Sequence, residues 1–347
     1  MKTIQLLIAI LLFPLSIWYA VGVAVRNWLY DVGIKKTSRS PIPTIGIGNL
    51  RMGGTGKTPH TEYLIRQFAG TGTSLAILSR GYGRKTEGFV LSDSTHPEAS
   101  TIGDEPAMLV RKFPGLTVAV CQDRNEGIRQ LQKLPHPPQL ILLDDVYQHR
   151  SIRPNVMMLL TEYNDLFCND HILPFGNLRE ARRQSRRADI VVVTKCPPLL
   201  SERKREELRH CLKLQAAQSL FFSSITYLEP RSLFGNGNWQ PVREVLLVTG
   251  IAHPAPLKHH LERQCTVRHL SFPDHHAFTD ADIRKITKAF NAIKEPSKAN
   301  VTTEKDAMRL ISDNISRQLS SMPVFFVPIS ITFNDEEAFL LTIKKFI

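Results

Sequence analysis

Short apolar runs alternate with amphipathic stretches along most of the chain, and this alternation predicts the fold. Runs such as Leu140–Leu143 and Ile190–Val193 are apolar at every position, which is typical of strands covered on both faces. The pattern predicts strands at 44–48, 74–78, 116–121, 139–143, 155–160 and 189–194, and helices at 57–69, 105–113 and 123–134. Strands that alternate with helices indicate βαβ units and a mainly parallel sheet, so the fold class is α/β.

The turn-rich segment Glu229–Arg243 predicts a crossing into a second, smaller α/β lobe. Beyond it the pattern predicts strands at 245–249, 266–271 and 324–329, and helices after Pro254, at 279–293 and near 335–346. The expected organisation is an N-terminal membrane-associated helix (1–34), a core domain (35–230) and a C-terminal lobe (231–347).

Residues 3–25 carry no charged side chain, and as a helix they are long enough to cross a hydrocarbon core of about 30 Å. Lys2 precedes the stretch, whereas Arg26, Lys35, Lys36 and Arg39 follow it. The heavier positive flank predicts that the rest of the chain lies in the cytoplasm. Three interpretations stay open: a spanning helix, a helix lying in the interface because Pro14 would kink it, and a cleaved signal peptide.

Charge and composition narrow the choice of partners. The 347-residue chain has 44 basic and 32 acidic residues, which gives a net charge of +12 and predicts an acidic partner. Five arginines are spaced to form one stripe on a helix: Arg179, Arg182, Arg183, Arg186 and Arg187. The stripe could be a solvated basic face, or it could face an anionic membrane or a phosphorylated substrate. Nucleic acid is disfavoured because no recognition module is evident. The five cysteines include no Cys-x-x-Cys pair, which predicts reduced thiols rather than disulfides or a zinc site.

A glycine-rich stretch between a predicted strand and a predicted helix carries the sharpest chemical signal. Gly48–Pro59 contains Gly-Gly-Thr-Gly-Lys-Thr, although Arg51 stands where a strict phosphate-binding loop has glycine. Backbone N–H groups of such a loop surround phosphate oxygens, the lysine reaches the β- and γ-phosphates, and the threonine hydroxyl binds Mg²⁺. The predicted nucleotide-binding residues are Gly53, Gly54, Thr55, Gly56, Lys57 and Thr58.

Carboxylates follow two other predicted elements. Asp144 and Asp145 end the apolar strand 139–143, a position where an acid holds Mg²⁺ in nucleotide-dependent enzymes. Asp104 and Glu105 stand at the start of a predicted helix, where capping competes with a role as a catalytic base and metal contact. In the second lobe, Asp274–His276 precedes a helix and could be a metal site, a surface loop or a partner of the base.

Seven motifs taken in order resemble those of the tetraacyldisaccharide 4′-kinases, the kinases of the lipid A pathway. They are the phosphate loop, Ser79–Gly83, Gly103–Pro106, Asp144–Arg150, Leu173–Glu180, Asp274–His276 and Val301–Ala307. The chain departs from the family pattern at Val146-Tyr147, where Gly-Phe is expected. Added bulk at Val146 would matter only if it narrowed the site.

The resemblance implies a P-loop-type core and transfer of the γ-phosphate of ATP, with Mg²⁺, to the 4′-hydroxyl of a tetraacyldisaccharide 1-phosphate, giving lipid IVA. It implies these roles: catalytic Lys57, Asp104 and His275; metal-binding Thr58, Glu105, Asp144, Asp145 and Glu180; acceptor-binding Arg80, Tyr82, His149 and Arg179. It also implies attachment to the inner membrane with the catalytic part facing the cytoplasm, contact with phospholipids, and no obligate protein partner. A membrane-recruited ATPase or GTPase switch that acts on a protein partner is the alternative.

Overall fold

The computed structural model describes residues 2–92, 98–235, 237–274, 276–311 and 318–347. The chain divides into two compact units, one made of Met1–Ile225 with Ile331–Ile347 and the other of Thr226–Ser330. The sequence-based division at residue 231 is therefore corrected at the C-terminus. Residues 331–347 return to the first unit because their apolar side chains, Phe339 and Ile343 among them, are fully buried in its core.

The first unit opens with a long helix and then alternates strands with helices. Its first elements are α1 (Lys2–Asp31), β1 (Thr44–Asn49), α2 (Lys57–Ala69), β2 (Leu75–Ser79), β3 (Val90–Leu91), α3 (Ala99–Ile102), α4 (Asp104–Lys112) and β4 (Thr117–Val120). Then follow α5 (Arg124–Gln132), β5 (Leu140–Leu143), β6 (Val156–Glu162), two short 3₁₀ helices (Phe167–Asn169 and Arg182–Arg187), β7 (Ile190–Thr194), α6 (Glu202–Leu212) and β8 (Ser219–Tyr227).

The second unit is a smaller α/β lobe. Its elements are β9 (Arg231–Ser232), β10 (Glu244–Thr249), α7 (Ala255–Glu262), β11 (Thr266–Ser271), α8 (Asp280–Asn291), β12 (Lys298–Thr303), α9 (Glu304–Leu310) and β13 (Val324–Val327). Its strands are ordered β11-β10-β12-β13-β9, with β9 antiparallel to β13 and the other pairs parallel. The chain then returns to the first unit through β14 (Ile329–Phe333) and α10 (Glu336–Lys344).

The first unit is built on one large, mostly parallel sheet. Among the residues described, its strand order is β14-β8-β7-β6-β1-β5-β2-β4-β3. β1 pairs in parallel with β5 and β6, and Gly46 lies opposite Leu143. The carboxyl ends of β1 and β5 therefore meet at one edge of the sheet, where ligands bind in open α/β folds. Ile45, Ile47 and Leu142 are fully buried, so packing in the core holds β1 and β5 in place where they end at this edge.

Several sequence-based expectations change here. The predicted helix at 57–69 is confirmed, but α6, β8, β12 and α9 were not predicted. The arginine stripe is wrong, since Arg182–Arg187 forms a 3₁₀ helix with a shorter repeat than the spacing assumed. Cys168 and Cys211 form a disulfide, although reduced thiols were expected, because the 3₁₀ helix of Cys168 packs against α6.

The N-terminal segment is helical from Lys2 to Asp31, and Pro14 lies inside it. Among the described residues, none of the helices has both the length and the apolar character needed to cross a bilayer.

The end of β1 tolerates no side chain at Gly48. A Cβ placed there would lie 2.7 Å from Tyr147 Cβ and 2.9 Å from its backbone nitrogen. We therefore expect Gly48→Ala to destabilise the fold by about 3 kcal/mol, the upper end of the usual cost of overpacking. Urea denaturation measures this change, and Gly54→Ala is the matched control because a Cβ at Gly54 meets nothing within 4 Å. Equal unfolding midpoints in the two variants would contradict the close approach.

Candidate active site

The loop between β1 and α2 has the shape of a phosphate-binding loop. Gly53 and Gly56 adopt positive φ values of 105° and 89°, which L side chains rarely adopt. Thr55 is held from two sides, since Asn49 Nδ2 donates to its hydroxyl at 2.7 Å and Thr194 Oγ1 donates to its carbonyl at 2.9 Å. α2 begins directly at Lys57, so its N-terminal N–H groups face this loop.

A buried histidine, not predicted from the sequence, fixes the last glycine of the loop. His60 Nδ1 lies 2.7 Å from the Gly56 carbonyl oxygen, and Nε2 lies 2.9 Å from Ser223 Oγ on β8. Burial lowers the pKa of His60 to about 4, so the ring is neutral. Since a carbonyl only accepts, Nδ1 carries the proton and donates it to Gly56, while Nε2 accepts from Ser223.

Opposite charges meet where the loop faces β5. Lys57 Nζ lies 3.7 Å from Asp145 Oδ1, and Arg179 Nη2 lies 3.0 Å from the same oxygen. Burial opposes the ionisation of Asp145, but Lys57 and Arg179 outweigh it and hold the pKa of Asp145 below its usual range. Asp145 is thus an anion that sets the positions of two cations at the phosphate loop.

Asp144 has the opposite character. Its side chain is buried, and burial together with the charges of Glu105 and Asp145 raises its pKa to about 7. Within the described residues, Asp144 Oδ1 is buried without a hydrogen-bond partner. Thr58 Oγ1 donates to Glu105 Oε1 at 3.2 Å. The loop threonine and the carboxylates of Glu105, Asp144 and Asp145 therefore form an oxygen-rich cluster beside Lys57.

A buried arginine supports this cluster from behind. Arg124 is 2% exposed, and its guanidinium donates to the carbonyls of Cys121 at 2.9 Å and Asp144 at 3.0 Å. Burial lowers its pKa, although arginine stays charged in proteins. His149 accepts a hydrogen bond from the Arg124 backbone at 3.3 Å. Sequence analysis missed Arg124, because this residue stands at the start of an ordinary amphipathic helix.

Asp104 occupies the first position of α4 and is exposed. The residue at the capping position is Gly103, without a side-chain cap bond, so Asp104 does not cap the helix as the sequence allowed. A Cβ on Gly103 would lie 2.7 Å from the Tyr82 carbonyl oxygen, which places the Ser79–Gly83 turn against the start of α4. Arg80 and Tyr82 are exposed, Tyr82 to 92%.

Glu180, expected among the metal ligands, faces elsewhere. Its side chain is fully buried, one carboxylate oxygen lies 2.6 Å from Arg26 Nη2, and the other pairs with Arg187. Arg187 also stacks over the Tyr147 ring, which explains why this arginine turns inward rather than joining an exposed stripe. Val146 is fully buried in the core, so its added bulk points away from the site.

In the second unit, His275 lies outside the described residues. Its neighbour His276 places Nε2 2.9 Å from Asp282 Oδ2 and stacks on Phe272. Asp282 also closes the capping box of α8 with Thr279. His276 is therefore tied to the start of α8.

The oxygen donors at the phosphate loop suit a Mg²⁺ ion that is bound partly by substrate phosphates, rather than a metal site built from protein ligands alone. Among the residues described, no three His, Cys, Asp or Glu side chains converge to hold a metal ion. Mg²⁺ is commonly held by one or two carboxylates together with substrate phosphates. The unpartnered oxygen of Asp144 is the observation that fits such an ion.

Comparison with known proteins places this site in a family. The sequence model of the family described as tetraacyldisaccharide-1-P 4′-kinase matches residues 8–347. A tetraacyldisaccharide 4′-kinase of Flavobacterium johnsoniae is 43% identical over 97% of this chain and 96% of its own length. One from Parabacteroides distasonis is 44% identical over 93% of this chain and 90% of its own length.

The fold agrees with a solved structure. The crystal structure of LpxK from Aquifex aeolicus in complex with ATP superposes with a TM-score of 0.74 at 26% identity, covering 96% of this chain and 98% of that one. The family match, the curated relatives and the shared fold agree over nearly the full length. The chain belongs to the tetraacyldisaccharide-1-P 4′-kinase family.

Proposed function

We propose that the chain transfers the γ-phosphoryl group of ATP to the 4′-hydroxyl of a tetraacyldisaccharide 1-phosphate, giving lipid IVA. The observation that carries the proposal is the meeting of Lys57 and Thr58 with Glu105, Asp144 and Asp145 at one edge of the sheet. Phosphoryl transfer needs positioning and charge neutralisation more than covalent chemistry, and this cluster provides both.

ATP binds along the phosphate loop in this proposal. Backbone N–H groups of Gly53–Thr58 surround the phosphates, and Lys57 neutralises the β- and γ-phosphates. Thr58 and carboxylates from among Glu105, Asp144 and Asp145 would hold Mg²⁺ together with the nucleotide phosphates, and the ion would neutralise charge on those phosphates. Arg124 holds the strand end that carries Asp144, since it binds the Asp144 carbonyl.

Asp104 is the proposed general base. It is exposed at the first position of α4, next to the metal-binding Glu105, and it is free of a capping role. There it accepts the proton of the attacking 4′-hydroxyl. His275 is its proposed partner, on the strength of the family motif.

The four proposed acceptor-binding residues form two groups, one exposed and one with partners inside the protein. Arg80 and Tyr82 are exposed beside α4 and are proposed to bind the disaccharide. Arg179 and His149 already have internal partners, Asp145 and the Arg124 backbone. We propose that these two reach the acceptor while keeping those contacts.

A tetraacylated acceptor resides in a lipid bilayer, so the enzyme works at the inner-membrane surface, with its catalytic part in the cytoplasm. α1 exposes a face of large apolar side chains, which is typical of a helix lying in the interface. Its members Trp18, Val21, Val25 and Trp28 are 76%, 49%, 49% and 55% exposed. We propose peripheral attachment through this face, with phospholipids as the contacting partner.

Lys57→Ala should leave a folded protein with almost no transfer activity. Removing one ammonium beside the phosphates removes charge stabilisation in the transition state, which costs about 10²–10³ in kcat for comparable donors. Initial rates of lipid phosphorylation with radiolabelled ATP measure the loss, and circular dichroism checks folding. Activity within about threefold of wild type would refute the role of Lys57.

Asp104→Asn should melt near wild type and bind nucleotide, but turn over about 10²–10⁴ times more slowly. The substitution keeps size and removes basicity. Turnover is compared with and without lipid acceptor, because a switch protein would hydrolyse ATP without it. Near-normal transfer in the variant would leave Asp104 without a catalytic role.

In the metal-free protein, Asp144→Asn should be more stable than wild type, by a margin that grows as pH rises. The folded pKa of Asp144 is raised to about 7, so ionisation disfavours folding increasingly from about pH 4, the unfolded pKa, to about pH 7, and by a constant amount above. Asp145→Asn is the control of opposite sign, because its lowered pKa means that its ionised form stabilises the fold. Thermal melts in chelator at several pH values measure both. A pH-independent difference for Asp144→Asn would contradict the shift.

A further inference from the structure

α1 has two faces with different contacts. Ser16 and Asn27 are 8% and 1% exposed, and Tyr19 and Arg26 lie seven residues apart on the same side of the helix. The opposite side carries the apolar face of Trp18, Val21, Val25 and Trp28. One side of the helix therefore lies on the protein, and the other side is exposed.

The protein-facing side binds a short segment, residues 175–180, which we name the strap. Ser16 Oγ accepts a hydrogen bond from the Phe175 backbone at 2.8 Å, and Tyr19 donates to the Arg179 carbonyl at 3.2 Å. Arg26 donates to the buried Glu180 at 2.6 Å. α1 thus binds the first residue of the strap and its last two residues.

The other side of the strap lies on the phosphate loop. The Arg179 backbone N–H donates to the Leu50 carbonyl at 2.7 Å, and Met52 donates to the Asn177 carbonyl at 2.8 Å. The Arg179 side chain reaches the Asn49 carbonyl at 3.1 Å and Asp145 at 3.0 Å. The strap therefore connects α1 to the end of β1 and to a proposed magnesium ligand.

Glu180 makes the conformation of the strap depend on its contact with α1. Its carboxylate is 0% exposed and uses one oxygen for Arg26 and the other for Arg187. Without Arg26, one oxygen of a buried anion loses its cation, which is strongly unfavourable unless the segment rearranges. Glu180 follows Arg179 directly, so such a rearrangement would move Arg179.

We propose that Arg26 and Glu180 are positioning residues: their ion pair transmits the seating of α1 through the strap to Arg179 and Asp145. α1 then orders the phosphoryl-transfer site in addition to meeting the membrane. This inference rests on the proposed function and adds a second role for the helix.

The experiment compares variants on the two faces of α1. Arg26→Met keeps the length of the side chain and removes the charge, whereas Trp18→Ala changes the membrane-facing side. Lipid phosphorylation is measured in mixed micelles at saturating ATP over a range of acceptor concentrations, and binding to phosphatidylethanolamine–phosphatidylglycerol vesicles is measured by sedimentation. We expect Arg26→Met to lower kcat about tenfold, the scale of a small misplacement of a catalytic group, with vesicle binding retained. Trp18→Ala should weaken vesicle binding and raise the acceptor KM instead.

Coupling through Arg179 is tested by a double-variant comparison. If the pair acts through Arg179, Arg26→Met costs less than about twofold in kcat when Arg179 is already alanine, because the two changes are then non-additive. Arg26→Lys keeps a charge at this position and should recover part of kcat. Equal fold losses in the wild-type and Arg179→Ala backgrounds would overturn the proposal, as would an unchanged kcat in Arg26→Met.

A second readout does not depend on activity. Hydrogen–deuterium exchange over residues 175–180 should rise in full-length Arg26→Met and stay at the wild-type level in Trp18→Ala. Unchanged exchange in both would overturn the positioning role even if the kinase assay fails for other reasons. If exchange rises in Arg26→Met but the wild-type protein transfers no phosphate to the lipid, the proposed function would be refuted and the strap contacts would stand.

Discussion

Like charges held together at one sheet edge are the constraint on which the rest of this site depends. Asp144, Asp145 and Glu105 lie close enough for their charges to raise the pKa of Asp144. Such a group is stable only when cations surround it, because desolvated anions repel. Lys57 and Arg179 contact the Asp145 carboxylate, and Arg124 binds the Asp144 carbonyl. Each of these cations comes from a different segment of the chain, so the site exists only when the sheet is assembled.

The same constraint explains the small residues at the end of β1. Gly48 lets the backbone of Tyr147 approach, which brings the loop that follows Asp145 against the phosphate loop. Tyr147 in turn donates to the Gln184 carbonyl at 2.7 Å and lies under Arg187. Arg187 binds Glu180. A continuous series of contacts therefore runs from Gly48 and Tyr147 through Arg187 to the Glu180–Arg26 ion pair that holds α1.

The sequence predicted the parts of the fold that local pattern determines. α2 follows a glycine-rich loop and has clear periodicity, and its bounds are confirmed. β8 and β12 were missed because Ser223, Ser224 and Thr302 occupy buried positions, where a buried strand is expected to be apolar. Their polarity is satisfied by tertiary partners such as His60 and the Val248 carbonyl. Only the assembled structure reveals these partners.

Site residues divide in the same way. Lys57, Thr58, Asp144 and Asp145 were predictable because a loop or strand end fixes the direction of each side chain. Asn49, His60 and Arg124 carry no local signal, since their roles come from contacts with residues distant in the chain or across a turn. Glu180 shows the reverse difficulty: the motif gave its position, but the direction of its side chain depends on Arg26, more than a hundred residues earlier.

Burial of Glu180 also decides between two ways of attaching a helix to this enzyme. A helix that served only as an anchor would need apolar contacts with the protein, and a buried carboxylate beneath it would weaken attachment. α1 instead places Arg26 on a fully buried acid, and Arg150, from the loop after Asp145, holds its far end at the Asn27 carbonyl and Asp31. Both segments that hold α1 also carry a residue of the charge cluster, Arg179 in one and Asp145 in the other. Burying the Glu180–Arg26 ion pair costs desolvation energy, and the contacts of α1 reach segments that carry Arg179 and Asp145. This arrangement favours a role for α1 in positioning the charge cluster, beyond attaching the enzyme to the membrane.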